Sequence, residues 1–419
     1  MPVPFRGRTP RLLLMERQRI ETETDIVISG AGIAGMVLAA LLARRGWRVV
    51  ICDPAPPPEA ADAAGSDLRS TAYLAPSVEL LKTAGLWTAL SPHATDLGAL
   101  RVVDTKGWPP RLTEERTFRP NELDLEAFGK NVPNWRARHL IAQTLERDDR
   151  IDLRLGVGFA SMLARDDAVL VRLSDGSRIR ARLLVGADGR ASPVRDAAGI
   201  DATIRRYGQK AFAFAVRHDR PHENVSTEIY NAGGAFTTVP LADHEGGPAS
   251  AIVWMNDGRR GLDLMEMGEE DFARELNLRA LGLLGRMTKI TEIRLWPVIT
   301  QTARRLTARR VALVAEAAHV LPPIGAQGLN TSLADIAALD AALADGDPGA
   351  PQGLDRYAAA RERDVAVRAR VIDAFNRICQ SDGEALQSLR LTGLRAVHDI
   401  APIRRRVMGA GLRPMGTAL

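Results

Sequence analysis

Three turns that follow short apolar runs carry the residues with the clearest chemical meaning. The first is Gly30-Ala31-Gly32-Ile33-Ala34-Gly35, which matches the pattern G-x-G-x-x-G. In this pattern the first glycine permits a tight turn, the second lets the backbone approach a pyrophosphate, and the third lets a helix pack closely on a strand. The N-terminus of that helix then faces the phosphates. The turn therefore predicts a dinucleotide site.

Asp53 is the second part of this predicted site. It ends the next apolar run, Trp47-Arg48-Val49-Val50-Ile51-Cys52. A carboxylate at that position accepts hydrogen bonds from the ribose hydroxyls of the adenosine. The pattern does not distinguish NAD from FAD.

The second turn is Gly186-Ala187-Asp188-Gly189-Arg190, and a helix is predicted to start shortly after it, near Ser192. A strand delivers Asp188 to this glycine turn. A simple NAD domain does not need a second acidic turn so far downstream. The alternative is an ordinary Asp-Gly turn that Ser192 caps.

The third turn brings Glu316 to the carboxyl end of a strand and leads into Pro322-Pro323-Ile324-Gly325-Ala326-Gln327-Gly328-Leu329-Asn330, which we name the Pro/Gly loop. Exposed backbone N–H groups in such a loop, with the dipole of the following helix behind them, are suited to negative charge on a reduced flavin ring. We interpret the nearby His319 as a packing residue rather than a general base.

The elements that must position these turns follow from the apolar pattern. Residues 25–29 predict a strand buried on both faces of a parallel sheet, and an Ala/Leu-rich helix is predicted from about Ala34 to Arg45. With the strand that ends at Cys52 they form a βαβ unit. Between Tyr207 and Trp296 the pattern changes to longer, mostly antiparallel strands, which predict an inserted substrate domain.

In their order and spacing, the three turns resemble those of the class A flavoprotein aromatic hydroxylases, the family of para-hydroxybenzoate hydroxylase. The resemblance runs from about Asp25 to Met408, essentially the whole chain. It implies that the first turn holds the ADP part of FAD. It also implies that the Asp188 turn joins the FAD fold beside the path of the nicotinamide nucleotide, and that the third turn holds the ribityl chain and flavin ring.

A narrower resemblance is to the ubiquinone-biosynthesis hydroxylases, and it implies that Arg69 and Arg138 approach FAD. It rests on the Pro/Gly loop and on these segments: Asp67-Leu68-Arg69-Ser70-Thr71-Ala72-Tyr73, Ser77-Val78-Glu79-Leu80-Leu81, Gly85-Leu86-Trp87, Asn131-Val132-Pro133-Asn134, Tyr207-Gly208-Gln209-Lys210-Ala211 and Pro221-His222-Glu223-Asn224. One departure concerns the third turn, because the family usually has Gly-Asp where this chain has Ala315-Glu316.

The expected fold class is α/β: a Rossmann-like FAD-binding domain, an inserted and mostly antiparallel β-sheet substrate domain, and a C-terminal helical segment. The FAD-binding domain is expected in three parts, at 25–75, 181–205 and 301–345. The remaining segments are expected to be a disordered extension (1–24), mixed helices and strands partly on the substrate side (76–180), the substrate domain (206–300) and C-terminal helices (346–419).

The implied activity is hydroxylation of an aromatic ring with FAD as cofactor and NAD(P)H as co-substrate. The resemblance implies that reduced flavin would react with dioxygen and that a C4a-hydroperoxide would transfer oxygen to an activated ring. Because the cofactor carries this chemistry, the expected catalytic residues belong to the Pro/Gly loop: Pro323, Gly325 and Gln327. Alternation along the antiparallel strands suggests three substrate-lining residues: Phe214, Thr238 and Pro240.

Three hypotheses about function remain open at this stage. The leading substrate is a polyprenylated phenol or quinol on the way to ubiquinone. The second hypothesis is a soluble aromatic compound or a polyketide. The third is a non-catalytic, lipid-binding scaffold that retains FAD for stability, for which Ala315-Glu316 is the only support.

The C-terminal segment from Leu386 to Met408 is basic and apolar at roughly helical spacing. One interpretation is an interfacial helix on acidic lipid, which would suit a polyprenylated substrate. The other is a helix that packs on the protein with a solvated arginine face, which Gly393 and Pro402 favour because they interrupt the pattern. The expected location is the cytoplasm. Peripheral contact with the inner face of a bacterial membrane and a place in a biosynthetic complex are further hypotheses.

Composition narrows the remaining classes. The hydrophobic share of 46% over 419 residues is enough for a large core, and no apolar run approaches the ~18 residues that span a bilayer. The aromatic share of 5% argues against a base-stacking surface, so no nucleic-acid partner is expected. The two cysteines, Cys52 and Cys379, are not a metal-binding set, and no metal is expected.

Overall fold

The computed structural model describes residues 22–61, 63, 66, 70–343, 346–381 and 383–413. Its strands, numbered along the chain, are β1 (Thr22–Glu23), β2 (Ile26–Ser29), β3 (Val49–Asp53), β4 (Ser70–Leu74), β5 (Thr95–Asp96), β6 (Ala99–Lys106), β7 (Arg111–Phe118), β8 (Gly129–Pro133), β9 (Ile151–Leu155), β10 (Phe159–Ala164), β11 (Val169–Leu173), β12 (Arg178–Ala181), β13 (Leu183–Gly186), β14 (Ala202–His218), β15 (Val225–Asn231), β16 (Gly234–His244), β17 (Gly247–Asp257), β18 (Met287–Lys289), β19 (Arg294–Ala303), β20 (Thr307–Ala308), β21 (Val311–Leu313) and β22 (His319–Val320). Its α-helices are α1 (Ile33–Arg44), α2 (Ala75–Thr83), α3 (Trp87–Leu90), α4 (Asn134–Leu145), α5 (Pro193–Ala197), α6 (Gly258–Glu266), α7 (Glu269–Arg279), α8 (Gln327–Ala342), α9 (Pro351–Gln380), α10 (Glu384–Asp399) and α11 (Ala401–Leu412).

A mainly parallel sheet forms the centre of the first domain. Across the described residues its strand order is β20-β21-β13-β2-β3-β9, and every neighbouring pair is parallel except β20 and β21. Its central strands are short runs of Val, Ile, Leu and Ala buried on both faces, as expected for a sheet that helices cover on each side. The predicted βαβ unit is confirmed, and its helix spans Ile33–Arg44.

A larger sheet forms the second domain. Its order is β22-β19-β14-β17-β16-β15-β6-β7, with β18 beside β14. Neighbouring strands are antiparallel except β15 and β6, which run parallel. The prediction of an inserted, mostly antiparallel sheet is confirmed. Strands β6 and β7 join it from the earlier, mixed segment of the chain.

The two faces of this larger sheet have different neighbours. One face, which we call the helix-covered face, packs against α6 and α7 through large side chains: Phe212, Phe214, Phe236, Trp254 and Phe272. The other, which we call the loop-side face, packs against the Pro/Gly loop and α9. This contact joins Ala211, Tyr230 and Met255 of the sheet with Ile324 of the loop and Cys379 of α9. Contact between the two domains therefore involves the loop-side face.

The predicted extension at residues 1–24 lies mostly outside the described residues. Its last residues are ordered, because Thr22–Glu23 form β1 beside β12. Thr24 is buried, and its hydroxyl donates to the Arg48 carbonyl oxygen at 2.8 Å. The first domain therefore starts a few residues earlier than predicted.

The C-terminal helices direct part of their charge toward the protein and part of their apolar surface outward. Gln387 and Arg390 of α10 are each 7% exposed, and Arg390 binds the buried carboxylate of Asp104. Arg404 Nε of α11 lies 2.5 Å from Glu122 Oε2. The expected solvated arginine face is therefore wrong for Arg390 and Arg404. Five apolar side chains are 40–54% exposed: Leu386, Leu389, Ile400, Ile403 and Val407.

None of the described helices combines the length and the apolar character that crossing a bilayer requires.

Candidate active site

The three turns identified in the sequence meet at one edge of the parallel sheet. Ser29, at the end of β2, pairs with Gly186, at the end of β13, and Gly186 pairs with Leu313, at the end of β21. Because these strands are parallel, their carboxyl ends and the turns that follow lie side by side. Ligands of open α/β sheets bind outside this edge.

The glycine turn has the close contacts that its pattern requires. A Cβ on Gly30, which has φ +107°, would lie 2.3 Å from the Ala187 carbonyl oxygen. A Cβ on Gly35 would lie 2.0 Å from the Gly30 carbonyl oxygen. Gly32 differs, because a Cβ there would meet no described atom within 4 Å. Open space therefore lies at the N-terminus of α1, where a pyrophosphate would approach.

Asp53 fixes this turn from the neighbouring strand. Its Oδ2 accepts the Ala31 N–H at 2.8 Å, and its Oδ1 accepts the Ala55 N–H at 2.9 Å. A carboxylate has about four lone-pair sites, so the group can also accept ribose hydroxyls. Its contact with FAD stays a prediction that this position supports.

Asp188 connects the second turn with the first. Its Oδ2 accepts hydrogen bonds from Ser29 Oγ at 3.2 Å and from the Val194 N–H at 3.1 Å. Burial raises the pKa of Asp188, although hydrogen bonds from Ser192, Val194 and Ser29 act in the opposite direction. Ser192 also caps α5 by accepting the Arg195 N–H at 3.0 Å. Ser192 therefore caps the helix that follows the turn, as expected for an ordinary Asp-Gly turn. The Asp188 carboxylate in addition connects the end of β2 with α5.

The third turn shows how Ala315-Glu316 can stand where the family has Gly-Asp. Ala315 has φ +56°, the left-handed region that glycine adopts without strain. Asp335 Oδ2 accepts the Ala315 N–H at 3.0 Å and helps to hold this conformation. Glu316 is exposed on the turn, so its carboxylate can reach toward a ribityl hydroxyl.

The backbone of the Pro/Gly loop is open to its surroundings. Gly325, Ala326 and Gly328 are exposed, whereas Pro323 and Leu329 are half-buried. Gly325 and Ala326 have φ +60° and +55°, so the loop turns sharply before α8 begins. Exposed amides at such a turn can approach an anionic ligand.

Asn330 was expected to contact the cofactor, but its side chain is engaged inside the protein. It is buried, and its Oδ1 accepts the Leu74 N–H at 2.9 Å and the Ser77 hydroxyl at 2.7 Å. Its Nδ2 donates to the carbonyl oxygens of Ala72 and Ala326. Asn330 therefore positions the loop against β4 and α2.

Gln327 connects the Pro/Gly loop to α11. Its Nε2 donates to the Gly411 carbonyl oxygen at 3.0 Å, and its Oε1 accepts a hydrogen bond from Arg368 of α9. Arg368 also donates to the carbonyl oxygens of Ala410 at 3.4 Å and Arg413 at 2.9 Å. The side chain that we expected to act in catalysis is thus held against the C-terminal helix.

His319 belongs to a series of buried ion pairs, which we call the ionic chain: His319, Asp335, Arg361, Asp364 and Arg368. His319 Nε2 lies 2.6 Å from Asp335 Oδ2, and Arg361 Nε lies 2.8 Å from Asp335 Oδ1. Arg361 also binds Asp364 at 2.9 Å, and Asp364 lies 3.6 Å from Arg368. Burial would raise the pKa of Asp335, but His319 and Arg361 outweigh it and hold that pKa below its usual value. The interpretation of His319 as a packing residue agrees with this position.

Two arginines were expected near FAD. Arg69 lies outside the described residues. Arg138 is half-buried on α4, and its Nε has no hydrogen-bond partner among the residues that the structure describes. A buried donor without a partner is costly, so an anionic ligand would satisfy it.

The structure places Phe214, Thr238 and Pro240, the three expected substrate-lining residues, on the helix-covered face of the larger sheet. Phe214 packs on Phe272 with ring centroids 5.8 Å apart, on the helix-covered face. Thr238 pairs with Ile252 of the same face, and Pro240 follows two residues later along β16. Alternation along the strands shows that these residues share a face, but not which face meets the Pro/Gly loop. Half-buried positions of the loop-side face are Thr237, Val239 and Val253.

Glu228 of β15 is a candidate functional residue that the sequence did not reveal. It is 8% exposed, and it accepts a hydrogen bond from the Tyr230 hydroxyl. Burial raises the pKa of Glu228, although hydrogen bonds from Tyr230 and from the Gly325 N–H act in the opposite direction. A glutamate among the apolar residues of a strand is the signal that could have identified it.

Together these features fit FAD. The open position at Gly32 suits the pyrophosphate, Asp53 suits the ribose, the Arg138 Nε that lacks a partner among the described residues suits an anionic group of the cofactor, and the exposed turn at Ala326 and Gly328 suits the flavin ring. When bound there, FAD supplies redox chemistry and activation of dioxygen. The fold and the site are those of an FAD-binding protein.

Comparison with known proteins gives the family. The model of the FAD binding domain family matches residues 23–372, so the chain belongs to that family. It is an FAD-dependent monooxygenase, with NAD(P)H as the co-substrate typical of the family.

Two curated relatives extend over nearly the whole chain. The ubiquinone hydroxylase UbiL of Rhodospirillum rubrum is 34% identical over 390 residues, which cover 92% of this chain and 88% of that protein. The 3-demethoxyubiquinol 3-hydroxylase of Escherichia coli is 28% identical over 390 residues, covering 92% and 97%.

Solved structures show the same fold. The p-nitrophenol 4-monooxygenase PnpA of Pseudomonas putida superposes with a TM-score of 0.77 at 18% identity, covering 94% of this chain and 100% of that one. PqsL of P. aeruginosa, solved with 2-aminobenzoylacetate, gives a TM-score of 0.71 at 23% identity, covering 86% and 98%.

Proposed function

We propose that this monooxygenase hydroxylates the aromatic ring of a polyprenylated phenol or quinol in ubiquinone biosynthesis. The names of its relatives support the pathway, since both act on ubiquinone or its precursors. The aromatic ring would enter between the Pro/Gly loop and the loop-side face, where Thr237, Val239 and Val253 offer a half-buried, largely apolar surface. This surface would orient the ring toward the flavin and exclude water.

The proposal that the substrate has a polyprenyl tail is supported by the outward apolar surface of α10 and α11. Leu389 is 54% exposed, and Ile400 and Val407 are 48% and 47% exposed. Arg405 and Arg406 are exposed beside them, and α11 contains no acidic residue. Exposed apolar groups next to basic ones suit the surface of an acidic bilayer. Contact with that surface would bring the site to a substrate whose tail lies in the membrane.

The substrate test compares ring compounds that differ only in their tail. NAD(P)H oxidation by the FAD-loaded protein should rise with a prenylated phenol or quinol, and the product should gain one oxygen atom from ¹⁸O₂. The same compound without its tail should be a poorer substrate. Equal or better turnover of the compound without a tail would favour the soluble-aromatic hypothesis. Oxidation of NAD(P)H with no oxygen in any product would contradict aromatic hydroxylation.

The lipid test uses sedimentation with vesicles that contain phosphatidylglycerol. The wild-type protein should sediment with them, whereas the double variant Leu389→Glu/Val407→Glu should stay in the supernatant. Leu163→Glu is the matched control, because Leu163 is similarly exposed, at 51%, but lies on β10 and not on the C-terminal helices. If the double variant sediments like the wild type, the outward surface of α10 and α11 is not the lipid contact.

A further inference from the structure

We propose that Arg368 couples α11 to the Pro/Gly loop, so that contact of α11 with an acidic lipid surface changes the surroundings of the flavin. This inference rests on the lipid contact proposed above and concerns regulation of the same site. Arg368 is a positioning residue here, because it acts on the flavin site through Gln327.

The first step is the way in which α11 ends. The last carbonyl groups of an α-helix have no partner within the helix and need donors from elsewhere. The carbonyl oxygens of Ala410 and Gly411, in the last turn of α11, receive hydrogen bonds from Arg368 and Gln327. A cation at a helix C-terminus is also electrostatically favourable. The Pro/Gly loop and α9 therefore provide the C-terminal cap of α11.

The second step is the link between these two donors. Arg368 Nη1 donates both to Gln327 Oε1 and to the Ala410 carbonyl oxygen, while its Nη2 donates to the Arg413 carbonyl oxygen at 2.9 Å. Gln327 Nε2 donates both to Gly411 and, at 2.9 Å, to the Gly325 carbonyl oxygen. A displacement of the end of α11 must therefore change the hydrogen bonds of the loop.

The third step is the rigidity of what lies behind Arg368. The ionic chain joins Arg368 through Asp364 and Arg361 to Asp335, which is fully buried. Asp335 also holds the turn at Ala315. The loop, in contrast, is exposed at Gly325 and Gly328. Movement of α11 is thus more easily taken up by the loop than by the core of the domain.

The fourth step is the short distance to the outward surface. Val407 is exposed, and Gly411 lies four residues further along the same helix, about 6 Å along its axis. The groups that would contact lipid and the carbonyls that contact the loop therefore move as one rigid unit. Arg404, bound to Glu122, is a contact that α11 must keep or release as it settles on a membrane.

The test records binding and flavin environment separately on the FAD-loaded protein. Vesicles of phosphatidylcholine alone, or with phosphatidylglycerol, are added while sedimentation and the visible absorption and fluorescence of the flavin are measured. Acidic vesicles should bind the wild type and change its flavin spectrum, and neutral vesicles should do neither. Arg368→Met should still bind acidic vesicles, but its spectral response should be about fivefold smaller. Arg363→Met is the matched control, because Arg363 is exposed on the same helix.

Each outcome decides between the two proposals. Binding without a spectral change would overturn the coupling and leave the lipid contact intact, whereas absence of binding would overturn both. An undiminished response in Arg368→Met would remove Arg368 from the coupling. Should that variant fail to retain FAD, hydrogen exchange of the FAD-loaded wild type provides a second test. The amides of the Pro/Gly loop should exchange at a different rate when acidic vesicles are bound, and an unaltered rate would contradict the coupling.

Discussion

Gly30 and Gly32 lie two residues apart, yet a methyl group at each would have a different effect. A Cβ on Gly30 would clash with the Ala187 carbonyl, whereas a Cβ on Gly32 would project into open space. We expect Gly30→Ala to lower the free energy of unfolding by about 3 kcal/mol. Gly32→Ala should change it by less than about 0.5 kcal/mol without FAD, yet weaken FAD binding at least ~10-fold, or about 1.4 kcal/mol. Urea unfolding and FAD titration measure the two effects, and unchanged FAD affinity in Gly32→Ala would contradict the pyrophosphate site.

Asp335 is the residue at which the ionic chain can be broken most cleanly. Asp335→Asn removes the carboxylate that Arg361 and His319 contact and leaves Arg361 with Asp364 as its acidic partner, so the free energy of unfolding should fall by about 3 kcal/mol near neutral pH, the lower end for breaking a buried pair. Asp340→Asn is the control on the same helix, because the Arg45–Asp340 pair is partly exposed and should contribute less than about 1 kcal/mol. Equal effects of the two substitutions would contradict this ranking.

The stabilities of the wild type and of Asp335→Asn should also depend differently on pH. The folded-state pKa of Asp335 is depressed, so its ionised form is stabilised by folding. That stabilisation is complete above the unfolded-state pKa, about 3.9, and is lost as pH falls through the lower folded-state pKa. The difference in stability between wild type and Asp335→Asn should therefore be constant at neutral pH and shrink in acid. A difference that grows as pH falls below 4 would contradict the sign.

At the residue scale, local patterns were predictable and distant partners were not. Glycine spacing identified the turn at Gly30 because the clashes that require glycine come from the neighbouring strand and from the turn itself. The roles of Gln327 and Asn330 depend on Gly411 and Leu74, which are far away in the sequence. No local pattern contains that information. The conformation of Ala315, which shows why the family usually has glycine at this position, likewise became visible only as a backbone angle.

Among the elements, α11 is one whose removal should act on the cofactor through the Pro/Gly loop. A protein that ends at Ile400 lacks the carbonyls bound by Arg368 and Gln327, so the Pro/Gly loop loses one of its supports. We expect FAD to dissociate about tenfold faster, which corresponds to about 1.4 kcal/mol. Flavin fluorescence after dilution measures the rate. Arg405→Ala/Arg406→Ala keeps the helix and removes only exposed charges, so it should release FAD at the wild-type rate.

The elements themselves could be predicted where one physical requirement dominates. Strands buried on both faces appear as unbroken apolar runs, and these gave the parallel sheet correctly. The larger sheet was harder to predict because both of its faces are largely covered, one by α6 and α7 and the other by the Pro/Gly loop and α9. Alternation then shows which residues share a face, but not which face meets the cofactor. For this reason the sequence did not show that Phe214 lies on the helix-covered face.

For the molecule as a whole, Ile324 is the side chain that joins the two domains most directly. It comes from the Pro/Gly loop, is 7% exposed, and packs with Tyr230 and Met255 of the larger sheet. Ile324→Ala should lower the free energy of unfolding by about 2 kcal/mol, the lower end for a buried isoleucine. Ile204→Ala is the control, because Ile204 is 44% exposed and should contribute less than about 0.5 kcal/mol. Equal losses in the two variants would show that the domain contact lies elsewhere.

The fold class could be predicted because the three turns have to meet. Each follows a short apolar strand, and one parallel sheet with its carboxyl ends at one edge brings all three together. The orientation of the C-terminal helices could not be predicted, since it depends on the acidic partners Asp104 and Glu122 in distant parts of the chain.

The contact between Gln327 and Gly411 has a consequence for synthesis of the protein. The two residues are 84 positions apart in the chain. At translation speeds of about 5–20 residues per second, Gln327 leaves the peptidyl-transferase centre at least several seconds before its partner is made. During that interval the nascent chain already contains all three turns, but it lacks the helix that holds the loop. A newly made molecule would therefore reach its full affinity for FAD only after α11 has left the ribosome.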